Sequence, residues 1–235
     1  MLKFVLISSI IIVIYIILVL ISRKNRERIA RNNELLKSVT DLSRGTESEH
    51  KLILYLLKNG IPATTIFHDL YVRKNGGGYS QIDVVVATKV GIVVFEVKDY
   101  GGWIFGSGTQ NKWTQVLAYG KEKYQFYNPI IQNAGHIKAL KSKLKQCADV
   151  PFYSVIVFYG SCIFRDVHSL PEEVKVIYPS NILEVFNDIL EKNPPAKYTN
   201  KREVVRILKE AVENGADEKI REQHCQIIHQ KFSNN

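Results

Sequence analysis

Residues 81–98 read QIDVVVATKVGIVVFEVK, two β-branched runs separated by a short segment. Val and Ile are enriched in strands, so the runs at 81–87 and 92–98 predict two β-strands. The intervening residues 88–91 have the length of a hairpin connection. The sequence therefore predicts an antiparallel hairpin as the start of a β-sheet.

The polar residues of this hairpin lie on its two strands, away from the turn. Side chains alternate along a strand, so Glu96 and Lys98 share one face while Val97 points to the other. If the numbers of paired residues sum to 179, the turn has two residues and Asp83 lies directly opposite Glu96. A three-residue loop with a bulge at Gly91 would shift the pairing by one residue and turn Asp83 to the wrong face. The sequence leaves both registers open.

Asp83, Glu96 and Lys98 have the chemistry of a metal-dependent site for phosphodiester cleavage. Two carboxylates a few ångströms apart repel each other, so the pKa of one should rise unless a cation lies between them. Oxygen ligands suit Mg²⁺ or Mn²⁺, completed by water and a substrate phosphate. Lys98 could orient or help to deprotonate the attacking water and stabilise the transition-state charge. The alternative is an ordinary salt-bridge network at a strand edge.

The rest of the sequence predicts an α/β core followed by helices. Leucines and an isoleucine recur at helical spacing in residues 46–58, before Asn59-Gly60, and predict an amphipathic helix. Pro129 suits the first turn of a second helix, which runs to about residue 147. Further strands are predicted at 64–72, around 103–105, and at 112–116, 152–159 and 174–178, and C-terminal helices at 181–191, 200–213 and 217–230.

Four motifs occur in order between residues 45 and 136. They are Gly45-Thr46-Glu47-Ser48-Glu49 before a helix, Gln81-Ile82-Asp83, Phe95-Glu96-Val97-Lys98-Asp99-Tyr100-Gly101-Gly102, and Asn128-Pro129-Ile130-Ile131-Gln132-Asn133-Ala134-Gly135-His136. Together they resemble the nuclease-related domain (NERD) family, from about Gly45 to Gly160. The resemblance implies the restriction-endonuclease-like superfamily with its D…E-x-K core, an α/β fold with a mixed central sheet flanked by helices. The family's Gly-Glu is here Ser48-Glu49, which keeps the helix glutamate.

The resemblance also implies roles for residues of these motifs. Asp83 and Glu96 would be the ligands of Mg²⁺ (or Mn²⁺), and Lys98 the catalytic lysine. Glu49 would reach the site from the first helix. Gln132 and His136, which lie one helical turn apart on one face, could line the cleft, as could Gln81. Alternatively, Gln132 bonds the backbone of the Asn128-Pro129 turn and His136 is structural.

Two further groups of residues receive structural interpretations. The aromatic residues that follow Lys98 among glycines could stack on unpaired bases, but a packed rim of the sheet is the favoured interpretation; they are Tyr100, Trp103, Phe105 and Trp113. Three widely spaced cysteines without a C-x-x-C pattern indicate neither a disulfide framework nor a zinc site. They are interpreted as buried structural thiols: Cys147, Cys162 and Cys225.

Residues 4–21 form an almost uninterrupted run of Ile, Leu and Val. As a helix this run would be ~27 Å long, close to the ~30 Å hydrocarbon core of a bilayer. Only Lys3 precedes it, whereas five Lys or Arg residues follow at 23–31, so the positive-inside rule predicts a cytoplasmic C-terminal domain. The sequence thus predicts a single-pass anchor in the cell membrane, with the lipid bilayer as a partner. The rival interpretation, a cleaved signal peptide, lacks a small-residue cleavage site after Ile21.

The formal net charge of +9 is unevenly distributed. Seven basic and three acidic residues fall at 23–45, and Lys3 lies before the apolar run. From Thr46 onward, 24 basic residues face 20 acidic ones, a surplus of only four. Much of the surplus is therefore explained by topology and by attraction to anionic lipid. Charge alone does not predict a DNA-binding protein.

These inferences predict four parts of the chain: an anchor at 1–22, a helical connector at 23–44, a nuclease domain at 45–160, and a C-terminal strand and helical extension at 161–235. The predicted function is that of a membrane-anchored nuclease that hydrolyses DNA phosphodiester bonds with Mg²⁺. One alternative is a catalytically silent module of the same fold that binds DNA or a protein at the membrane. Another is a scaffold that acts through the helical C-terminus.

Overall fold

A computed structural model describes residues 2–146 and 149–233. Within these residues the chain forms six α-helices and nine β-strands. The helices are α1 Leu2–Lys37, α2 Glu47–Lys58, α3 Pro129–Leu144, α4 Ile182–Lys192, α5 Lys201–Ala216 and α6 Glu218–Ser233. The strands are β1 Ile66–Arg73, β2 Tyr79–Thr88, β3 Gly91–Asp99, β4 Gly102–Ser107, β5 Lys112–Leu117, β6 Glu122–Tyr127, β7 Phe152–Tyr159, β8 Cys162–His168 and β9 Val174–Ile177.

The first sheet has the strand order β1-β2-β3-β7-β9. Strands β1, β2 and β3 pair antiparallel, whereas β3, β7 and β9 pair parallel, which makes the sheet mixed. In the β2–β3 hairpin Val84 pairs with Phe95 and Thr88 with Gly91, so the numbers of paired residues sum to 179. The register with a two-residue turn is therefore confirmed, and the bulged alternative is excluded. The strand β3, which carries Glu96 and Lys98, lies at the centre of this sheet.

Helices cover both faces of the first sheet because its strands are apolar on both sides. One face of the hairpin presents Val84 and Phe95, which pack in a cluster with residues of α2 and α4. The other face presents Val85 and Val94, which pack with residues of α3 and α5. The predicted α/β architecture, sheets flanked by helices, is confirmed.

The second sheet has the order β6-β5-β4-β8, with an antiparallel part and a parallel β4–β8 pair. Its core is aromatic: Trp113 is fully buried and stacks on Phe158 of the first sheet, with ring centroids 6.0 Å apart. Trp103 lies under the guanidinium of Arg165, 4.8 Å from the ring centroid. The interpretation of these tryptophans as a packed sheet rim agrees with their contacts.

Helix α1 is continuous from Leu2 to Lys37, and Leu36 near its end packs into the core against α2. The structure does not describe the side chains of residues 4–13, which belong to the predicted anchor. In the described portion of the chain, no helix combines the length and the apolar character needed to cross a bilayer. The prediction of a cell-membrane location is therefore wrong on this finding, and the predicted transmembrane helix and lipid partner have no support in it.

The cysteines divide between the core and the surface. Cys162 is buried at the start of β8, as expected, but Cys225 on α6 is exposed. Cys147 lies outside the described residues. The interpretation as buried structural thiols is therefore correct for Cys162 and wrong for Cys225.

Candidate functional site

Glu96 lies near the end of β3 with only 1% of its side chain exposed. Its Oε1 is 2.6 Å from Nζ of Lys98, two residues along the same face of the strand. Its Oε2 is 3.1 Å from Nε2 of His136 on α3. Both carboxylate oxygens therefore have a nitrogen partner, as a buried carboxylate requires.

Helix α3 supplies the second side of this arrangement. It begins at Pro129, and the side chain of Asn128 caps it by accepting a hydrogen bond from the Ile130 backbone N–H at 2.9 Å. One turn further on, Gln132 Oε1 accepts a hydrogen bond of 3.0 Å from Lys98 Nζ. The side chain of Gln132 thus faces the lysine rather than the Asn128-Pro129 turn. Gln132 thus contacts Lys98, and His136 contacts Glu96. Both contacts come from one face of α3, as expected for two residues one helical turn apart.

His136 also contacts Ser80 on β2, with 2.8 Å between Nδ1 and the hydroxyl oxygen. A neutral imidazole has one donor and one acceptor nitrogen. Because Nε2 faces the Glu96 carboxylate, this nitrogen is the donor, and in the neutral ring Nδ1 accepts the hydrogen bond of the Ser80 hydroxyl. The ring orientation of His136 is therefore fixed from both sides.

Asp83 lies on β2 at the point where the ladder with β3 stops. Regular pairing ends at Val84 and Phe95, and the Val97 backbone N–H donates instead to Asp83 Oδ2 at 2.7 Å. The Asp83 carboxylate thus replaces a backbone carbonyl as the partner of β3. This contact places the carboxylate beside the strand that carries Glu96.

The charges of Asp83, Glu96 and Lys98 shift one another's pKa values. Burial raises the pKa of Asp83 well above its ordinary value of 3.8, and the charges of Glu96 and Glu49 raise it further. Burial also acts to raise the pKa of Glu96, but the hydrogen bond from His136 and the charge of Lys98 outweigh it and hold that pKa low. Although burial opposes the charged form of Lys98, Glu96 raises the pKa of its ammonium. The site therefore holds a charged Glu96–Lys98 pair beside an Asp83 that favours its proton.

Glu49 lies on α2, where it is buried. Its Oε2 lies 2.8 Å from Nε2 of His68 on β1, and the other nitrogen of that ring, Nδ1, lies 2.6 Å from the Thr40 hydroxyl. Its Oε1 accepts a 2.8 Å hydrogen bond from Thr46, the N-cap of α2. Glu49 is close enough to raise the pKa of Asp83 but is held by its own network.

Gly45 permits this arrangement of Glu49 and His68. Its φ of +73° is a left-handed conformation that favours glycine. A Cβ at residue 45 would lie 2.4 Å from His68 Nε2 and 2.5 Å from Glu49 Oε2. The first motif therefore combines a glutamate with a glycine that gives its carboxylate room.

Gln81 does not contact the Glu96 group. Its Nε2 donates to Asp69 Oδ1 at 3.0 Å, and Asp69 also forms a buried ion pair with Arg44, 3.0 Å between Nε and Oδ2. Asp69 has a φ of +51°, and regular β1–β2 pairing skips it. The sequence analysis missed Asp69, Arg44 and His68. An Asp and a His inside the otherwise apolar run of β1 were the available signal.

The donor set can be tested for a divalent cation by its chemistry. Asp83 and Glu96 offer hard oxygen atoms on adjacent strands, and burial together with the charge of Glu96 raises the pKa of Asp83. Both Glu96 oxygens are engaged by Lys98 and His136, so a cation would have to share or replace one of these contacts. Among residues 2–146 and 149–233, no three His, Cys, Asp or Glu side chains are grouped so that they could hold a metal. The two carboxylates fit Mg²⁺ or Mn²⁺ as a pair that water and substrate would complete.

Comparison with known proteins agrees with the motifs that this site contains. A profile of the nuclease-related domain family matches residues 44–159. An uncharacterised protein of Bacillus anthracis is 30% identical over 205 residues, which are 86% of this chain and 91% of that protein. No solved structure matches the chain. The matched region includes α2, the β2–β3 hairpin and α3, so the chain belongs to the nuclease-related domain family.

Proposed function

We propose that this protein is a metal-dependent nuclease that hydrolyses DNA phosphodiester bonds at a restriction-endonuclease-like D…E-x-K site. The observation that supports the proposal is the buried Glu96–Lys98 ion pair of 2.6 Å with Asp83 on the adjacent strand. A salt bridge with a purely structural role does not need a second buried carboxylate such as Asp83 that has no ion-pair partner among the described residues, whereas a divalent cation site does.

Asp83 and Glu96 would hold Mg²⁺ or Mn²⁺. When bound, the cation would neutralise charge on the phosphate and lower the pKa of a bound water. In the reaction the water oxygen forms a bond to phosphorus and its proton passes to solvent or a phosphate oxygen, while the bond from phosphorus to the leaving oxygen breaks and that oxygen takes a proton from solvent. Hydrolysis thus yields one phosphate monoester and one hydroxyl end.

Lys98 would stabilise the negative charge of the pentavalent transition state. Glu96 raises the pKa of its ammonium, so Lys98 is protonated at neutral pH and acts as a cation rather than as a base. Gln132 holds the Nζ atom at 3.0 Å and thereby fixes the direction of the ammonium. His136 donates to Glu96 and keeps that carboxylate ionised.

The test is cleavage of plasmid and single-stranded DNA by the full-length chain, with Mg²⁺, with Mn²⁺ and with EDTA. We expect cleavage only with a divalent cation, and loss of it in Glu96→Gln, which keeps the shape of the side chain. Glu191→Gln, on the exposed face of α4, is the matched control and should cleave normally. Absence of cleavage under all conditions, or cleavage by Glu96→Gln at the wild-type rate, would contradict the proposal.

A second candidate is a module that binds DNA or a protein without cutting. The observation that favours it is that Lys98 and His136 already occupy both oxygens of Glu96. Thermal unfolding with and without Mg²⁺ separates the two functions, since ligand binding to the folded state raises its stability. A nuclease should be stabilised by Mg²⁺, and Asp83→Asn should abolish the effect. A silent module should show no such effect but should retain DNA or partner binding.

A further inference from the structure

The β5–β6 hairpin, residues 112–127, projects aromatic and basic side chains that the core does not use. Tyr119 at its turn is 96% exposed, Tyr124 is 52% exposed and Tyr127 is 45% exposed. Lys112, Lys121 and Lys123 are also exposed, against a single acidic residue, Glu122, in the same segment. Because these tyrosine rings are exposed rather than packed in the core, they are available to contact a partner.

The turn of this hairpin is strained in a way that keeps its tyrosine outside. Ala118 and Tyr119 have φ values of +50° and +55°, a left-handed conformation that is unfavourable for both residues. Tyr119 is 96% exposed, so packing of its side chain against the fold does not compensate for the strain. Strained backbone without a packing reason points to a functional turn.

The hairpin connects directly to the candidate catalytic site. Phe126 on β6 contacts Tyr100, with ring centroids 4.5 Å apart, and Tyr100 lies two residues after Lys98. Side chains alternate along a strand, so Tyr124 shares the face of Phe126. At the other end, β6 leads through Asn128 into the helix that carries Gln132. An aromatic row therefore runs outward from Lys98 through Tyr100 and Phe126 to Tyr124.

The free edge of β6 makes this row accessible. β6 is the outer strand of the second sheet, so its other edge has no strand partner in the described structure. Lys123 lies on this strand next to Tyr124, and Lys121 lies in the turn directly before the strand. Exposed aromatic rings and lysines close together on one hairpin are the kind of surface with which proteins bind unpaired strands.

We propose that the β5–β6 hairpin binds a single-stranded stretch of DNA and guides it to the site at Lys98. Tyr119 and Tyr124 stack on unpaired bases, and Lys121 and Lys123 contact phosphates. The inference rests on the proposed nuclease function and assigns it a preferred substrate, DNA with an unpaired segment. In a duplex the bases are already stacked on each other, so the tyrosines add little to duplex binding.

The test is fluorescence anisotropy of the full-length chain with a labelled 20-nucleotide single strand and the matching duplex, in EDTA so that nothing is cut. Tyr119→Ala/Tyr124→Ala should weaken single-strand binding by about tenfold or more and duplex binding far less. Lys121→Gln/Lys123→Gln should reduce the salt slope of single-strand binding by about 1.4. Ile163→Ala, 53% exposed on the opposite edge of the same sheet, and Lys209→Gln/Lys219→Gln are matched controls that should bind normally.

The inference is overturned if the wild-type chain does not bind single strands, if both hairpin variants bind them normally, or if single-strand and duplex binding fall equally. Thermal unfolding of the variants should match the wild type because the replaced side chains are exposed. The binding assay does not need hydrolysis. A protein that cuts DNA while its hairpin variants bind normally would refute the guiding role alone. A protein that binds through the hairpin and never cuts would refute the nuclease alone.

Discussion

Replacing Lys98 with Met should destabilise the protein strongly, because it leaves Glu96 charged and buried. The ion pair is 2.6 Å long, with 16% of the lysine and 1% of the glutamate side chain exposed. Removing one partner of a buried pair costs about 3–5 kcal/mol. For a chain of this size the loss corresponds to a fall in Tm of about 6–20 °C. Urea unfolding and thermal unfolding both measure it.

A control pair of the same length is available on the surface. Lys192 and Asp188 on α4 are also 2.6 Å apart, but their side chains are 71% and 52% exposed. Lys192→Met should therefore cost far less than Lys98→Met, because solvent screens an exposed pair. The double variant Glu96→Gln/Lys98→Met removes both buried charges and should recover at least half of the loss. If Lys98→Met costs no more than Lys192→Met, the buried pair does not exist as described.

Three further perturbations follow from the contacts around the site. Because the pKa of Asp83 is raised, the metal-free folded state binds the Asp83 proton more tightly than the unfolded state does. The free energy of unfolding should therefore fall as the pH rises from near pH 4 to the raised pKa, by about 1.4 kcal/mol per pH unit. Asp83→Asn should lack this decline in EDTA; parallel profiles of unfolding free energy against pH would contradict it. Gly45→Ala would place a Cβ against His68 and Glu49 and force a left-handed residue, so we expect a loss of about 2 kcal/mol or more in urea unfolding; an unchanged midpoint would refute the clash. Asn128→Ala removes the α3 cap and a 2.6 Å hydrogen bond to the Gln110 carbonyl, with an expected cost of about 1–3 kcal/mol; a cost below that of an exposed Asn→Ala change would argue against the cap.

Local patterns predicted the part of the fold around the site. The β2–β3 hairpin was predictable because two β-branched runs flank a turn of fixed length, and turn length sets register. The helix after Asn128 was predictable from its cap and proline, and ends at Leu144, three residues before the predicted end. These features depend on residues close in sequence.

The two edge strands of the second sheet, β6 and β8, were not predicted. β6 is exposed along nearly all of its length and pairs only with β5. β8 is also mostly exposed, lacks the alternating pattern that marks a strand in sequence, and pairs in parallel with the distant β4. Tyr100 and Trp113 pack against aromatic residues of the core, as the favoured interpretation expected, whereas the exposed tyrosines of β6 were not singled out.

Spacing and resemblance pointed to Asp83, Glu96 and Lys98, and the structure brings Gln132 and His136 to Lys98 and Glu96. Their assignment as catalytic and metal-binding residues stays a prediction. The second network, with His68 at its centre, could not be predicted because it joins residues from three separate elements. No sequence periodicity reports a contact between Thr40, Glu49 and β1.

Strand β3 lies between β2, which is close to it in sequence, and β7, which is far from it, and this affects the order in which the site can form during translation. β3 meets β2 across a two-residue turn, but Glu96 pairs with Ile156, which leaves the ribosome much later. Local hairpins form before contacts that close long loops. In the nascent polypeptide, Asp83 and Glu96 thus meet first in water, where their carboxylates repel only weakly. Only when β7 and α3 arrive does the acidic pair lose its hydration, so a chain that stops before residue 150 holds the motif without the environment that gives it its charges.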